Sequence, residues 1–499
     1  MNVMAPIREA AVSQDVEHFD ILIVGAGISG IGSAYQLTRQ LPDKNFIILE
    51  SQESFGGTWR THRYPGIRSD SDLHTFGFSF KPWIGPPIAT ADEILAYMGE
   101  VIAENGLERH IRYQHKIVSA SWSSVTNLWT IDAVKGDDEQ VTFTANFLWM
   151  CQGYYRHSEG YTPEWPEMEK FKGRIVHPQS WSDDVELADK KVVVIGSGAT
   201  AATLIPSIAG KCAHVTMLQR SPTYFRIGRN VIELAEELRK LQVSEEWVHE
   251  IVRRKILFEQ DAFTKRCLAE PDKVARELIG QISAIVGEDC AAKHFTPSYR
   301  PWRQRLAFLP NADMFESIRD GKASVVTDEI ERFTETGIKL KSGNELQADI
   351  IVTATGFNLC VLGDIAFTID GEPLAFGDTV TYRGMMFTGV PNMAWVFGYF
   401  RASWTLRTDL VADFVCRLLS HMDEKGAKKV VPALRPEDRN MPLSSWIDPE
   451  NFNPGYMMRD MHLLPKRGDK PEWQHSQDYW TEKDAIPATD LEDKAFVYS

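Results

Sequence analysis

The sequence predicts an α/β fold in which one strand–turn–helix–strand unit occurs twice. In the first unit the apolar segment Phe19–Val24 leads into a Gly-x-Gly-x-x-Gly turn, and in the second Lys190–Ile195 leads into Gly-x-Gly-x-x-Ala. Short apolar runs bounded by turn residues are typical of strands in a parallel sheet. Charged segments with helical periodicity between about 231 and 292 predict a helical insertion in the second unit. We therefore predict two Rossmann-like dinucleotide-binding domains with a helical insertion.

The first glycine turn has the full context of a dinucleotide site. A helix is predicted to follow the turn to about Arg39, and the next strand, Asn45–Glu50, ends in an acid. Glycines permit a tight turn and the close approach of a pyrophosphate to a helix N-terminus, while the terminal carboxylate accepts hydrogen bonds from a ribose. The predicted cofactor contacts in this unit are Gly25, Gly27, Ser29, Gly30 and Glu50.

The second unit differs at the end of its second strand. His214–Leu218 is followed by Gln-Arg-Ser and not by an acid. A carboxylate there would repel a 2′-phosphate, whereas Arg220 and the Ser221 hydroxyl would bind one; the alternative is that Arg220 is an ordinary surface arginine. The second nucleotide is therefore predicted to be NADPH, and the first to be FAD. The predicted contacts are Gly196, Ser197, Gly198, Ala199, Thr200, Ala201, Gln219, Arg220 and Ser221.

Two further strands mark where the chain passes between the domains. Phe147–Gly153 and Ala348–Phe357 each run from an apolar segment into a glycine. We predict an FAD-binding domain at 1–153 and 381–499, an NADP-binding domain at 154–222 and 320–380, and the insertion at 223–319. The insertion either covers the active site or elaborates the surface, and the tail after about Pro436 is expected to wrap the surface, partly as loop. One apolar helix face is predicted within the insertion, formed by Val231, Leu234, Leu238 and Leu241.

Composition excludes several classes of protein. The net charge of −15 over 499 residues argues against nucleic-acid and anionic-membrane surfaces. The closest pair of the six cysteines, Cys267 and Cys290, is 23 positions apart, so no local zinc knuckle or dithiol motif is available. We expect free thiols in a reducing cytoplasm and no metal site. Met1–Asp20 lacks the apolar core of a signal peptide, and no run of about 18 apolar residues occurs that could span a membrane.

Two longer motifs identify a family. Gly56–Asp70 matches in full the fingerprint [Ala/Gly]-Gly-x-Trp-x-x-x-x-[Phe/Tyr]-Pro-[Gly/Met]-x-x-x-Asp, and Phe171–Trp181 matches Phe-x-Gly-x-x-x-His-x-x-x-Trp, with His177 at the histidine. Ser182 departs from the Pro or Asp that usually follows. On these motifs the chain resembles type I Baeyer–Villiger monooxygenases. Stretches such as Asn392–Gly398 and Arg401–Leu406 resemble the branch that contains an ethionamide-activating flavin monooxygenase. The absence of a close cysteine pair disfavours the disulfide reductases that share the two-nucleotide architecture.

The resemblance implies an activity. In the family, NADPH reduces FAD, reduced flavin and dioxygen give a C4a-peroxyflavin, and this oxidises a ketone to an ester or lactone; sulfides or thioamides are S-oxygenated. The expected partners are therefore molecular oxygen and a small hydrophobic ketone or sulfide. A flavin monooxygenase restricted to sulfur or nitrogen, an NADPH oxidase or reductase, and a non-catalytic redox sensor remain alternatives. The sequence leaves open whether the chain is a monomer or a homo-oligomer.

The resemblance also implies site residues. Arg305 aligns with the family's active-site arginine, and Asp70 aligns with the acid that holds it. Gln304 stands where many relatives have a lysine, which leaves more of the 2′-phosphate recognition to Arg220. Trp404 and Thr405 are expected to line the substrate pocket, although Trp404 fits a core position equally well. The remaining cofactor contacts are the flavin segment Gly57, Thr58, Trp59, Arg60 and Thr61, then Arg68 and Ser69 near Asp70, and the backbone of Val118 at the adenine.

Overall fold

The larger of the two main sheets carries the first glycine turn. In the computed structural model, which describes residues 16–499, this sheet has nine strands, and Glu17–Val24 lies inside it between two parallel neighbours. The expectation for Met1–Asp20 falls largely outside the described residues. In spatial order the strands are Glu372–Pro373, Ala366–Ile369, His115–Ser123, Leu128–Lys135, Glu139–Met150, Glu17–Val24, Phe46–Leu49 and Ile111–Arg112, and Met393–Trp395 pairs with Glu139–Met150.

The second sheet carries the second glycine turn and is entirely parallel. Its three inner strands are largely buried, with helix Ala199–Ile208 and its neighbours on one face and the small antiparallel sheet 330–347 on the other, which explains why they appear in the sequence as continuous apolar runs. Their spatial order is Ala323–Thr327, His214–Gln219, Lys191–Ile195, Ile350–Thr353 and Arg174–Val176. The predicted α/β fold with two nucleotide-binding units is confirmed.

Helices cover both sheets and form the insertion. Ile28–Gln40 follows the first glycine turn and packs against the long helix Trp404–Lys425. The other helices are Thr58–Thr61, Leu73–Phe76, Ala91–Glu104, Ala199–Ile208, Glu233–Lys240, Glu245–Ala269, Pro271–Val286, Glu288–His294, Asp313–Arg319, Gly455–Arg459 and Tyr479–Ala485. The minor strands are Tyr155–Gly160, Phe225–Gly228, Ala307–Pro310, Ile330–Thr334, Gly337–Leu340, Glu345–Gln347, Phe357–Leu359, Thr381–Tyr382, Met386–Phe387, Val430–Pro432 and Phe496–Tyr498. No helix within residues 16–499 is both long and apolar enough to cross a bilayer.

The insertion is helical between Glu233 and His294, and a parallel strand pair closes its base. Leu234 and Leu238 pack against a small buried cluster, as their spacing predicts. Leu241, predicted for the same face, is 74% exposed. That prediction is wrong because the helix ends at Lys240, so the helical period no longer applies one residue later.

The chain returns to the first sheet earlier than the predicted boundary at 381. Ala366–Ile369 pairs with His115–Ser123 in the first sheet, and Glu372–Pro373 extends the same edge. Residues 366–373 are therefore part of the first sheet, although the sequence assigned them to the second domain. Two short, partly polar strands separated by one tight turn carry too little periodicity to indicate which sheet they join.

The tail does not only wrap the surface. Trp446 and Trp473 are fully buried and belong to the two apolar cores that flank the first sheet. The Trp473 indole donates a hydrogen bond to the buried carboxylate of Asp438 at 2.8 Å. Large aromatic side chains contribute much of the buried apolar area of a core, so the tail stabilises the first domain from outside its sheet.

The two passages of the chain between the domains run side by side. Tyr155–Gly160 and Phe357–Leu359 form an antiparallel ladder, with Leu359 opposite Tyr155 and Phe357 opposite Gly160. The imidazole of His177 donates from Nε2 to the carbonyl of Gly356 at 3.2 Å and accepts at Nδ1 from the backbone of Gln179 at 3.1 Å. The histidine of the second fingerprint thus stabilises the connection between the domains through a hydrogen bond.

Candidate functional site

The first glycine turn is shaped for a close ligand approach. Gly25 has φ +96°, and a Cβ on Gly30 would lie 1.9 Å from the Gly25 carbonyl oxygen. The fingerprint loop reaches the same place, because a Cβ on Gly57 would lie 3.2 Å from the Cα of Gly27. These glycines therefore leave space and free backbone at the start of helix Ile28–Gln40, where a pyrophosphate is stabilised.

Glu50 and Val118 lie where the sequence places a ribose and an adenine. The buried Glu50 carboxylate accepts from the backbone of Ala26 at 2.8 Å and of Gln52 at 2.9 Å. The Ser51 hydroxyl also donates to this carboxylate at 3.3 Å, so about one of its four lone-pair sites remains for a ribose hydroxyl. Val118 is partly exposed and lies at a register shift between Ile117 and Ser119. Such a bulge leaves the extra residue outside the strand ladder, which frees the backbone of Val118 for a base.

The segment predicted to run beside a flavin ring forms one helical turn, Thr58–Thr61. Trp59 packs edge-on to Phe76 at 5.7 Å, and Arg60 donates to the carbonyl of Phe55. The Thr61 hydroxyl lies 3.1 Å from Nδ1 of His157 on the connection between the domains. This turn therefore lies against that connection.

The rest of the fingerprint lies against the second domain. A Cβ on Gly66, whose φ is +75°, would lie 1.6 Å from the Ser207 hydroxyl on helix Ala199–Ile208. Arg68 makes a bidentate ion pair with Asp313, with N–O distances of 2.5 and 3.1 Å. Ser69 is buried, and its hydroxyl donates to the Ser71 carbonyl. Arg68 and Ser69 thus connect protein segments to one another, and their contact with a cofactor stays a prediction.

The second glycine turn is open toward solvent. Gly196 has φ +132°, and its missing Cβ would lie 2.2 Å from the Ala354 carbonyl oxygen, whereas a Cβ on Gly198 would meet nothing within 4 Å. The Ser197 hydroxyl lies 2.8 Å from that of Thr223. Ala199, Thr200 and Ala201 start the following helix, with Ala201 fully buried against the sheet. Thus the turn combines close packing on one side with room for a phosphate on the other.

The three predicted contacts at the end of the second strand of this unit differ in their exposure. Gln219 is 1% exposed, and its amide donates to the carbonyl of His294 and to the Thr327 hydroxyl. The structure therefore does not support a side-chain contact from Gln219 to a nucleotide; it fixes the insertion instead. Arg220 and Ser221 are exposed, and within residues 16–499 no side chain pairs with the Arg220 guanidinium. A free cation at this position fits a 2′-phosphate.

Asp70 and Arg305 come together from distant parts of the chain. The fingerprint ends at Asp70, and Arg305 follows the helical insertion; their side chains lie 3.4 Å apart and are 25% and 38% exposed. The Asp70 carboxylate raises the pKa of Arg305 well above its usual value, against the effect of burial. Arg303 turns elsewhere and pairs with Glu450 at 3.1 Å. The site thus holds one permanent, partly exposed cation that a single carboxylate orients.

Three tyrosines beside Arg305 were not predicted. Tyr154 donates to the Tyr155 oxygen at 2.8 Å, and the rings of Tyr155 and Tyr456 are 5.6 Å apart. Tyr154 and Tyr155 lie just beyond the carboxyl end of strand Glu139–Met150, where ligand sites in α/β folds occur, and this position could have indicated them. Tyr456 comes from the tail, and no local pattern signals its contact.

The two residues predicted to contact the substrate lie in different surroundings. Trp404 stacks on Tyr154 with a ring distance of 5.2 Å, and its indole donates to the Ser29 hydroxyl at 2.7 Å, which links the tyrosines to the first glycine turn. Thr405 is 1% exposed, and its hydroxyl donates to the Phe76 carbonyl at 2.8 Å. The prediction that Thr405 lines a pocket is therefore wrong: one residue further along the helix, its side chain faces the interior.

Comparisons with known proteins identify the family of this chain. A family model described as NAD(P)-binding Rossmann-like domain matches residues 23–84, and one described as L-lysine 6-monooxygenase/L-ornithine 5-monooxygenase matches residues 96–359. The FAD-containing monooxygenase EthA of Mycolicibacterium smegmatis is 47% identical over 467 residues, covering 93% of this chain and 94% of the relative. The chain belongs to the FAD-containing monooxygenases.

Other members and structures extend the comparison. This FAD-containing monooxygenase is 43% identical to the probable FAD-binding monooxygenase AlmA of Acinetobacter sp., over 93% of each chain. Its fold matches that of a steroid monooxygenase solved with NADP, with a TM-score of 0.76 and 24% identity, covering 96% of this chain and 99% of that chain. An open cyclohexanone monooxygenase structure gives a TM-score of 0.69 at 23% identity, covering 85% and 91%. The first glycine turn, with Glu50 and the Val118 bulge, is the site in this monooxygenase that fits FAD.

Proposed function

We propose that this monooxygenase uses NADPH and dioxygen to convert ketones into esters or lactones, the Baeyer–Villiger reaction, and also oxygenates sulfides or thioamides. The balanced reactions are ketone + NADPH + H⁺ + O₂ → ester + NADP⁺ + H₂O, and sulfide + NADPH + H⁺ + O₂ → sulfoxide + NADP⁺ + H₂O. The observation that carries the proposal is the Asp70–Arg305 pair at 3.4 Å, which joins the fingerprint to the segment after the insertion.

The chain's own residues would bind two nucleotides. The glycine turn at Gly25, the Glu50 carboxylate and the Val118 backbone would hold FAD, which when bound supplies hydride acceptance from NADPH and the activation of dioxygen. The open turn at Gly198 and the Arg220 cation would hold NADPH through its phosphates.

Arg305 supplies positive charge where the reaction creates negative charge. A guanidinium stays protonated at any working pH and donates in a planar fork, so it stabilises an oxyanion or orients a carboxamide without changing its own charge. Asp70 holds this fork in one orientation, and without it a partly buried cation would lose its partner. The surrounding Tyr154, Tyr155 and Trp404 reduce access of water, which strengthens such interactions.

The second candidate is a flavin monooxygenase restricted to sulfur or nitrogen. The match of residues 96–359 to a model named for two amino-acid monooxygenases favours keeping this possibility. An NADPH oxidase or reductase is the third, and it differs from both because no oxygen atom enters an organic product.

One experiment separates the three. The FAD-loaded protein is given NADPH, dioxygen labelled with ¹⁸O, and either a ketone or a sulfide, and NADPH loss, peroxide and labelled product are measured together. Labelled ester from the ketone supports the proposal. Labelled sulfoxide without ester supports the second candidate, and peroxide equal to NADPH loss supports the third.

A further inference from the structure

The hydroxyl groups beside Arg305 form a compact cluster that the proposed function does not yet use. Ring centroids are 4.1 Å apart for Tyr154 and Tyr155, 5.6 Å for Tyr155 and Tyr456, and 6.2 Å for Tyr154 and Tyr456. Tyr154 and Tyr155 come from the first passage between the domains, and Tyr456 comes from the short tail helix Gly455–Arg459. Two distant segments thus bring three phenols to one place.

Two of these phenols, Tyr155 and Tyr456, are hydrogen-bond donors at any working pH. Burial raises the pKa of Tyr155 and of Tyr456 far above the usual value, although the nearby Arg305 cation opposes the rise. Each therefore keeps its O–H, because a buried phenolate would lose its hydration.

One hydroxyl of the cluster has no hydrogen-bond partner among the described residues. The O–H of Tyr154 is used, since it donates to the Tyr155 oxygen at 2.8 Å. The Tyr456 hydroxyl is buried, with no partner in hydrogen-bonding geometry among the described residues. Arg305 offers five N–H donors and meets one carboxylate at 3.4 Å. Since buried polar groups are generally satisfied, the Tyr456 hydroxyl has room for a partner that the described residues do not supply, and an acceptor oxygen on a ligand fits this role.

The surroundings specify what carries that oxygen. Tyr154 stacks on Trp404 at 5.2 Å and meets Phe397 at 5.1 Å, while Tyr155 meets Phe357 at 4.6 Å. Apolar aromatic faces thus adjoin the donors. A ketone carbonyl fits both features because it has two acceptor lone pairs, no donor and two carbon substituents. A thioether fits poorly, since its sulfur is a weak acceptor.

We propose that the hydroxyls of Tyr155 and Tyr456, together with the guanidinium of Arg305, bind the carbonyl oxygen of a ketone substrate. Tyr154 positions Tyr155 through its hydrogen bond. The carbonyl oxygen gains negative charge when a nucleophile adds to its carbon, so these donors strengthen as the reaction proceeds. This proposal rests on the proposed function and refines it: the tyrosines favour ketones over sulfides.

The test uses the FAD-loaded proteins Tyr456→Phe, Tyr155→Phe and the double variant. Tyr498→Phe is the matched control, because its hydroxyl donates to Leu491 in the C-terminal segment, outside the cluster. Values of kcat/KM are measured for one ketone and one sulfide of similar shape. The ketone-to-sulfide ratio is expected to fall about tenfold or more in each single variant and to stay unchanged in the control. An unchanged ratio in all cluster variants overturns the proposal and leaves the tyrosines a packing role.

A second measurement needs no turnover. The infrared carbonyl band of a ¹³C-labelled ketone is recorded on the oxidised protein without NADPH, and removal of a donor shifts that band to higher frequency. The proposal is overturned if wild type and variants share one band, or if the ketone does not bind wild type. If wild type forms sulfoxide but no ester, the proposed function fails while the band still tests the carbonyl site.

Discussion

At the scale of single residues, the guanidinium group keeps Arg305 positively charged. The carboxylate of Asp70 fixes the position of that charge. The ion pair spans 235 positions of sequence, so neither residue is placed by its local structure. The neighbouring Arg303, only two positions away, pairs with Glu450 and points elsewhere. Which of two close arginines serves the site depends on register, and that register follows from contacts with the tail.

Replacing Arg305 by Ala is expected to abolish oxygenation while FAD stays bound, because Arg305 lies outside the first glycine turn. Loss of such a donor corresponds to about 3–4 kcal/mol of transition-state stabilisation. Asp70→Ala should reduce the rate less, and the double variant should not be additive. The measurement is ester formed per NADPH, together with flavin absorbance. Arg303→Ala is the control; if it loses activity and Arg305→Ala does not, the roles of the two arginines are reversed.

Arg220 belongs to the same scale. Arg220→Ala should raise KM for NADPH far more than KM for NADH, since a charge-assisted contact to a 2′-phosphate contributes about 1.5–3 kcal/mol. Arg229, which is exposed and paired with Glu233, provides the control Arg229→Ala. Steady-state kinetics with both nucleotides decide the matter, and equal changes in the two KM values would locate the phosphate elsewhere.

At the scale of elements, the fingerprint Gly56–Asp70 is a contact segment between domains as well as a cofactor segment. Gly66 packs onto helix Ala199–Ile208, and Arg68 pairs with Asp313 on another helix of that side. Gly66 also has positive φ, so two separate physical constraints act on one residue. Substitution here should therefore disturb the docking of the two nucleotide domains.

Gly66→Ala is expected to destabilise the protein by about 2–4 kcal/mol, from positive φ and from overlap with Ser207. Gly343→Ala separates the causes: Gly343 has φ +91°, but its Cβ would meet nothing within 4 Å, so the expected cost is about 1 kcal/mol. Urea unfolding followed by fluorescence gives both values. Equal losses in the two variants would mean that the close approach to Ser207 relaxes without cost.

Elements differed in how well the sequence predicted them. Strands, glycine turns and the fingerprint were predictable because their signals are local: period, glycine placement and fixed spacing. Tyr456 and the buried Trp473 were not, because the tail finds its place only through contacts with distant segments. Gln219 and Thr405 failed for another reason. Each is adjacent in sequence to a residue with a less buried side chain, Arg220 or Trp404, and on a strand or helix one residue changes the direction of the side chain.

At the scale of the whole molecule, buried histidines link stability to pH. Burial lowers the pKa of His62 to about 4 and that of His475 to about 3, and ring nitrogens of both lack partners among the described residues. Above pH 6.5 both residues are neutral in the folded and unfolded chain, so they add no pH dependence. Below pH 6.5 the unfolded chain binds protons that the folded chain does not, and stability falls as pH falls toward 3–4.

The expected slope is about 1.4 kcal/mol per pH unit for each such histidine. His475→Phe should flatten the loss of stability between pH 6.5 and pH 4.5, because an aromatic ring beside Trp446 is kept and the titrating group is removed. The exposed His462 supplies the control His462→Phe. Urea titrations at several pH values measure the slope, and an unchanged slope in His475→Phe contradicts the assignment.

The paired passages between the domains have a mechanical consequence. Tyr155–Gly160 and Phe357–Leu359 form one hydrogen-bonded ribbon, and His177 fastens Gly356 beside it. A ribbon of two strands resists stretching along its backbone but twists readily, so we expect it to act as a hinge between the domains. The two nucleotide domains should then rotate relative to each other about this ribbon without separating. Since Tyr155 is itself part of the ribbon, we expect a change in the angle between the domains to turn its phenol relative to Arg305. The domain angle and the binding of the carbonyl oxygen would then change together.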